Sequence, residues 1–227
     1  MMKRISDDTG LSLTELLVVS LLLGFILAAA WSVMYASNAM SNTMTAQANA
    51  ADESQQFMDR ISTELRKSQG QFDIIQAYDD TSAAAQGVSA TDNVRSAIAP
   101  NWTSTSLTFY ADLNGDHVPE RIHYYSSGGQ LLRTQASATA TAATGCTFGA
   151  DSAPVVIIKS IDSSWSGPIF QPLLGDAVPP SVATDTSQPI LVSEVLVQMK
   201  NKQSWGDRTY SYESSSTVGI RNRSSFG

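Results

Sequence analysis

The sequence predicts an α+β protein in which one long N-terminal helix packs on an antiparallel, β-rich globular head. Three observations lead to this prediction: an apolar run near the N-terminus, a helical pattern behind it that runs from Phe25 to Gln69 without Pro or Gly, and short strand-like segments after Gly70. We place the apolar half of the helix at residues 11–36, its amphipathic half at residues 37–70 and the head at residues 71–227.

The apolar run is long enough to cross a membrane. Leu16–Ala36 comprises 21 residues without a charge, and at 1.5 Å per residue such a helix covers about 31 Å, the thickness of the hydrocarbon core of a bilayer. Lys3 and Arg4 precede it, and the next basic residue is Arg60. The positive-inside rule therefore predicts a single-pass protein with its first residues in the cytoplasm and its head across the membrane.

Glu15 stands at the start of this run. A carboxylate at the edge of hydrocarbon is costly unless it finds a partner, which makes Glu15 a candidate functional residue. The alternative is that Glu15 lies at the level of the lipid headgroups, where the cost is small.

Apolar residues in the second half of the helix recur at three- or four-residue spacing and predict a packing face for the head. Gly70 is the expected C-cap, after Arg66 and Lys67 in the last turn. The helix thus extends from Leu11 to about Gln69. The residues of the predicted face are Met40, Met44, Ala48, Ala51, Met58, Ile61 and Leu65.

The head shows strand-like segments separated by Ser, Gly, Pro and Asp. The low-complexity tract Thr134–Cys146 and the Pro-containing stretch Pro168–Pro189 are expected to be loop and irregular connection. The predicted strands are Leu107–Asp112, Arg121–Tyr125, Gln130–Thr134, Val155–Ile161, Leu191–Lys200, Thr209–Glu213 and Thr217–Arg221.

Oxygen-bearing side chains at Asp112, Asn114 and Asp116 have the 1, 3, 5 spacing of a calcium loop. A full loop of that type needs Gly at its sixth position and Glu at its twelfth, and these positions hold His117 and His123. Asn-Gly is equally the strongest signal for a type I′ hairpin. Calcium binding and a plain hairpin therefore both remain open.

Composition excludes several classes of function. The net charge is −7, from 14 Lys and Arg against 21 Asp and Glu, so no basic footprint for nucleic acid is present. Cys146 is the single cysteine, which excludes an intrachain disulfide and zinc sites that need two cysteines. His117 and His123 are expected to be a turn residue and a strand residue, and no motif supports an enzyme.

The stretch Gly10-Leu11-Ser12-Leu13-Thr14-Glu15-Leu16-Leu17-Val18 resembles the class III signal of type IV pilins and type II secretion pseudopilins. The resemblance implies that prepilin peptidase cuts between Gly10 and Leu11 on the cytoplasmic face and that the apolar helix is retained. It also implies methylation of the new N-terminus, although Leu11 replaces the Phe that is usual there. Glu15 then becomes the fifth residue of the mature chain.

In this family the fifth-residue carboxylate sets the register between subunits, and a neighbour's α-amino group is the obvious cation for Glu15. The implied partners are other pilins or minor pilins through the N-terminal helix, prepilin peptidase and the assembly platform of the inner membrane. The implied location is first the inner membrane and then a fibre at the cell surface.

The segments LTFYADLNGDHVPERIHYY and STVGIRNR resemble PilW-like minor pilins, which share their plan with the J-class pseudopilins. The length, the lack of a kinking proline in the apolar half and the lack of a cysteine pair also suggest a minor subunit, expected in a tip complex that primes assembly. Two alternatives lie outside the family. Ala28-Ala29-Ala30 before Trp31 fits an ordinary signal-peptidase site, which would release a soluble protein, and an uncleaved chain would be a membrane-anchored binding protein.

Overall fold

The computed structural model of the chain describes residues 12–70, 96–99, 101–142, 145–174, 181–182, 192–205 and 208–220. Gly10 and Leu11 lie outside these residues. The elements, in chain order, are helix α1 (Leu13–Arg66) and strands β1 (Ser106–Ala111), β2 (Glu120–Ser127), β3 (Gln130–Ala142), β4 (Gly145–Phe148), β5 (Val155–Ile158), β6 (Phe170–Leu174), β7 (Ser181–Val182), β8 (Val192–Trp205) and β9 (Arg208–Gly219).

The chain divides into two compact units, Met1–Thr45 and Ala46–Gly227, and α1 contributes residues to both. The second unit contains two sheets in which every strand pair is antiparallel. One sheet has the order β1-β2-β3-β4 with β5 also paired to β3, and the other has the order β7-β6-β8-β9. The predicted combination of a long helix and an antiparallel β-rich head is confirmed at this level.

The C-terminal end of α1 is determined by strand pairing and not by glycine. The helix ends at Arg66, so the predicted cap at Gly70 is wrong. Ser68 forms an isolated bridge with Ala111 of β1, and the amide of Gln69 donates to the carbonyl of Tyr110 at 3.0 Å. Because Ser68 and Gln69 pair with β1, the helix ends just before them.

The face of α1 that packs in the head differs in part from the predicted stripe. Ile61 and Leu65 are fully buried as expected, but Met40 and Met44 are 60% and 54% exposed. Among the buried residues that the predicted face omits, the largest is Phe57, which is 1% exposed and packs edge-on against the ring of Tyr124 at 6.1 Å. Phe57 has the largest buried side chain on α1, so the face of the helix that carries Phe57 is the one that packs in the head. The buried residues of α1 are Ala46, Ala50, Ser54, Phe57, Ile61, Glu64 and Leu65.

Two segments expected to be irregular contain strands. Thr134–Ala142 continues β3, where Gln135 and Ala136 pair with β2 and Ala138–Ala142 pairs with β4. The stretch Pro168–Pro189 contains β6, which pairs along β8. The alternating Thr and Ala of β3 look like low complexity, but Thr is β-branched and suits a strand once neighbours are available. The two strands predicted after Thr209 are one strand, β9, and Arg221 lies outside the described residues.

A buried carboxylate joins α1 to the first sheet. Glu64 accepts hydrogen bonds from the hydroxyl of Tyr124 at 2.8 Å and from Nε of Arg133 at 3.1 Å, and its other oxygen forms an ion pair with Nη2 of Arg133 at 3.1 Å. Arg60, one turn earlier on α1, also donates to it at 3.2 Å. Burial, and then the charge of Glu64, raise the pKa of Tyr124, which keeps its hydroxyl protonated as the donor. The hydroxyl of Tyr124 and the guanidinium groups of Arg60 and Arg133 thus all act as donors to the carboxylate.

We expect Glu64→Ala to lower the free energy of unfolding by about 3–5 kcal/mol, because it removes one partner of a buried ion pair. Arg133 is 6% exposed, and among the described residues its side chain would keep only the hydrogen bond to Gln135. The measurement is urea unfolding of the full chain in detergent, followed by tryptophan fluorescence. Asp59→Ala removes an exposed carboxylate from the same helix and serves as the control, with an expected change within about 0.5 kcal/mol. Equal losses in the two variants would contradict the role given to Glu64.

Candidate functional site: the N-terminal turn and the apolar helix

The first unit leaves its apolar side chains exposed. From Leu13 to Met44 the large apolar residues are between 54% and 81% exposed, with Leu23 and Met44 at the low end and Leu13 at the high end. Within the described residues, α1 is a helix long and apolar enough to cross a membrane, and none of its most apolar window is buried by the protein. A signal sequence near the N-terminus would pass the same test of length and composition.

Two serine hydroxyls in the most apolar part of this segment bond to the helix backbone. The hydroxyl of Ser20 donates to the carbonyl of Leu17 at 2.9 Å, and that of Ser32 donates to the carbonyl of Ala29 at 2.8 Å. Backbone-bonded hydroxyls of this kind add no unsatisfied polar group to an apolar surface. These two serines are therefore compatible with lipid or with apolar neighbours.

Glu15 and Ser12 form a capping box at the start of α1. The backbone amide and the hydroxyl of Ser12 both donate to Oε2 of Glu15, at 2.9 and 3.1 Å, and the amide of Glu15 donates back to the Ser12 hydroxyl at 3.3 Å. This reciprocal arrangement satisfies amides that would otherwise lack a partner at the helix start. The sequence analysis identified Glu15 but missed Ser12, although Ser-x-x-Glu before an apolar run is the sequence signature of such a box.

The predicted calcium residues lie in the connection between β1 and β2. That connection spans residues 112–119, so the expected two-residue type I′ turn is wrong, although β1 and β2 do form an antiparallel hairpin. Both oxygens of Asp112 accept loop amides, from Gly115 at 2.6 Å and from His117 at 3.0 Å. Asn114 accepts the amide of Asp116 at 3.0 Å, and Asp116 accepts that of Val118 at 2.8 Å. Side-chain acceptors thus hold a longer loop in place of a tight turn.

Calcium binding by Asp112, Asn114 and Asp116 remains a proposal. In its favour, His117 adopts φ 62° at the position where a calcium loop turns sharply, and the buried residue Glu120 lies beside the loop, where its carboxylate accepts the amide of Leu113 at 2.8 Å. Against it, the described residues include no group of three or more His, Cys, Asp or Glu side chains that could hold a metal ion. The loop already satisfies its own acceptors.

The remaining candidate side chains occupy ordinary strand and loop positions. His123 lies in β2, where its Nε2 is 2.9 Å from the hydroxyl of Ser106 and burial lowers its pKa. His117 lies in the loop after β1, as expected. Cys146 was expected in a polar loop but lies in β4, half-exposed, and burial raises the pKa of its thiol.

The chain was compared with families, proteins and structures that are already known. No family model matches it, and no curated protein or solved structure shows significant similarity to it.

Calcium binding at the β1–β2 loop predicts that about 1 mM Ca²⁺ raises the Tm of the full chain in detergent, since weak sites suffice outside the cytoplasm. Asp116→Ala should remove that rise, and Mg²⁺ is the control ion. An equal Tm in Ca²⁺ and in EDTA would contradict calcium. In either buffer we expect Asp112→Ala to lower the Tm, because two loop amides lose their acceptor.

Proposed function

We propose that the protein is a minor pilin, a structural subunit that primes assembly of a type IV pilus or is incorporated into it, in a tip complex of few copies. The observation that supports this most is the apolar first half of α1, which the protein leaves exposed and which begins directly behind a carboxylate. A surface of that size needs lipid or neighbouring subunits to cover it.

In this proposal the same segment serves two environments in turn. The apolar helix first holds the chain in the inner membrane with its head outside the cytoplasm. Prepilin peptidase removes residues 1–10, and Leu11 becomes the N-terminus, where it is a candidate for methylation. The helix then leaves the bilayer through the assembly platform and packs among the helices of other pilins.

Glu15 gives the assembly step its specificity. A carboxylate inside a packed bundle of apolar helices is stable only beside a cation. The α-amino group of a neighbour's Leu11 is the obvious cation for this role. The pair therefore favours one axial offset between subunits over the others.

A second candidate within the family is a minor pseudopilin of a type II secretion system. It shares the helix, the processing step and the role of Glu15. The two candidates differ in the fibre into which the subunit is incorporated. Outside the family, an exported soluble protein would lose the helix after Ala30, and a membrane-anchored binding protein would keep residues 1–10.

We expect Glu15→Ala to enter the membrane normally but to be recovered in sheared fibres at about one tenth of the wild-type level or less, which corresponds to the loss of about 1.4 kcal/mol per subunit. Quantitative immunoblots of membranes and of sheared fibres measure the two pools. Asp59→Ala, which removes an exposed carboxylate from the same helix, is the matched control.

Gly10→Val tests the processing step in the same assay. We expect this variant to keep residues 1–10 and to be missing from fibres. Wild-type recovery of Glu15→Ala in fibres would contradict the register role of Glu15, and wild-type recovery of Gly10→Val would contradict the proposed processing step.

A further inference from the structure

Strand β9 forms one edge of its sheet. The strand is 12 residues long, and among the described residues it pairs with β8 alone. The other edges in the described residues are covered or short. Ile98 and Ser68 form bridges to β1, and β4, β5 and β7 have four residues or fewer. β9 is therefore the long open edge in the part of the chain that the structure describes.

β9 lacks the features that usually prevent an edge strand from pairing further. Such edges are commonly interrupted by a bulge, or they carry Pro or Lys. The pairing of β8 with β9 runs from Glu194 and Gly219 to Trp205 and Arg208 without a shift of register. β9 contains neither Pro nor Lys. A long, regular edge of this kind is a template for one more strand.

Alternate residues of β9 direct their backbone groups away from β8. The amide of Ile220 donates to the carbonyl of Ser193 at 2.8 Å, in line with the register of the two strands. Hydrogen-bonded and non-hydrogen-bonded pairs alternate along an antiparallel ladder, so the even-numbered residues of β9 bond to β8. The amides and carbonyls that point to the open edge are those of Ser211, Glu213, Ser215 and Thr217.

We propose that β9 is the contact strand of a homodimer, in which its edge pairs antiparallel with the β9 edge of a second copy of the chain, with the two-fold axis at Ser214. A row of alternating amides and carbonyls is matched by another extended backbone. Among the described residues the chain offers one open edge of this length, and a closed two-fold contact uses the same surface on both copies. The inference is independent of the proposed function.

The register of the contact follows from the direction of the backbone groups and from charge. Odd-numbered residues lie opposite odd-numbered residues, so the two longest overlaps are centred on Glu213 or on Ser214. The first places Glu213 opposite Glu213 of the second copy, and like charges directly opposite each other are destabilising. The second places Glu213 opposite Ser215, and Ser211 opposite Thr217. Hydroxyl pairs of the latter kind stabilise a sheet, so the contact is centred on Ser214.

The first test removes one amide that points to the open edge. Ser215→Pro deletes an N–H that does not bond to β8, a position at which an edge strand tolerates Pro. Ser215→Ala keeps this amide and is the matched control. The measurement is the protein mass of the full chain in detergent by light scattering, over a concentration series. We expect twice the mass of one chain for the wild type and for Ser215→Ala, and the mass of one chain for Ser215→Pro.

The second test measures the register with a disulfide. Ser214→Cys and Ser216→Cys are each made in the Cys146→Ser chain, which has no other cysteine, and are oxidised in detergent. Cα atoms directly opposite each other in a non-hydrogen-bonded pair are about 4.5 Å apart, which a disulfide can bridge. In the proposed register the two Ser216 positions are about 14 Å apart, which is too far. We expect Ser214→Cys to give at least about tenfold more disulfide-linked dimer than Ser216→Cys.

The mass of one chain for the wild type at every concentration would overturn the inference. Twice that mass for a folded Ser215→Pro chain would overturn it as well, because the dimer would then form through another surface. Equal cross-linking of Ser214→Cys and Ser216→Cys would contradict the proposed pairing. Circular dichroism shows whether each variant folds, and if Ser215→Pro does not, the two cysteine variants decide.

Discussion

The exposed apolar surface of α1 has to be covered, and the rest of the structure depends on this constraint. The surface is formed by 21 consecutive residues without a charge, Leu16–Ala36. Burial of apolar surface contributes about 25 cal/mol per Å², so an uncovered helix of this kind is unstable in water. The N-terminal turn adds a second condition, because Glu15 has to be accommodated at the edge of that surface. Its capping box with Ser12 gives Oε2 of Glu15 two hydrogen-bond donors within the chain and so meets part of this requirement.

The second half of the same helix is buried in the head. From Ala46 onward α1 contributes small and aromatic side chains to a core that includes residues of both sheets, among them Tyr124 of β2 and Val195 of β8. Glu64 fixes this half to β2 and β3 by charge-assisted hydrogen bonds that need its exact partners. The first half of α1 is thus exposed, and the second half has a face that is buried in the head.

The elements that sequence could predict are those set by local pattern. The apolar run and the absence of helix breakers behind it predict the long helix, and the predicted strand Leu191–Lys200 overlaps β8. The misses depend on distant partners. Thr134–Ala142 becomes a strand because β2 and β4 lie beside it, and Glu64 is buried because Arg133 comes from 69 positions away. The packing face of α1 depends on the residues of the head that surround Phe57, and these are distant in sequence. Ser12 is different, since its capping signature is local and could have been recognised.

The central claim is that the apolar helix is retained after a cut between Gly10 and Leu11. The intact mass and N-terminal sequence of the chain purified from membranes test it most directly. The account predicts a chain that starts at Leu11, with or without one methyl group. A chain that starts at Trp31 would contradict it, because the helix would then be a discarded signal and the protein an exported soluble head. A chain that still carries residues 1–10 would contradict it as well.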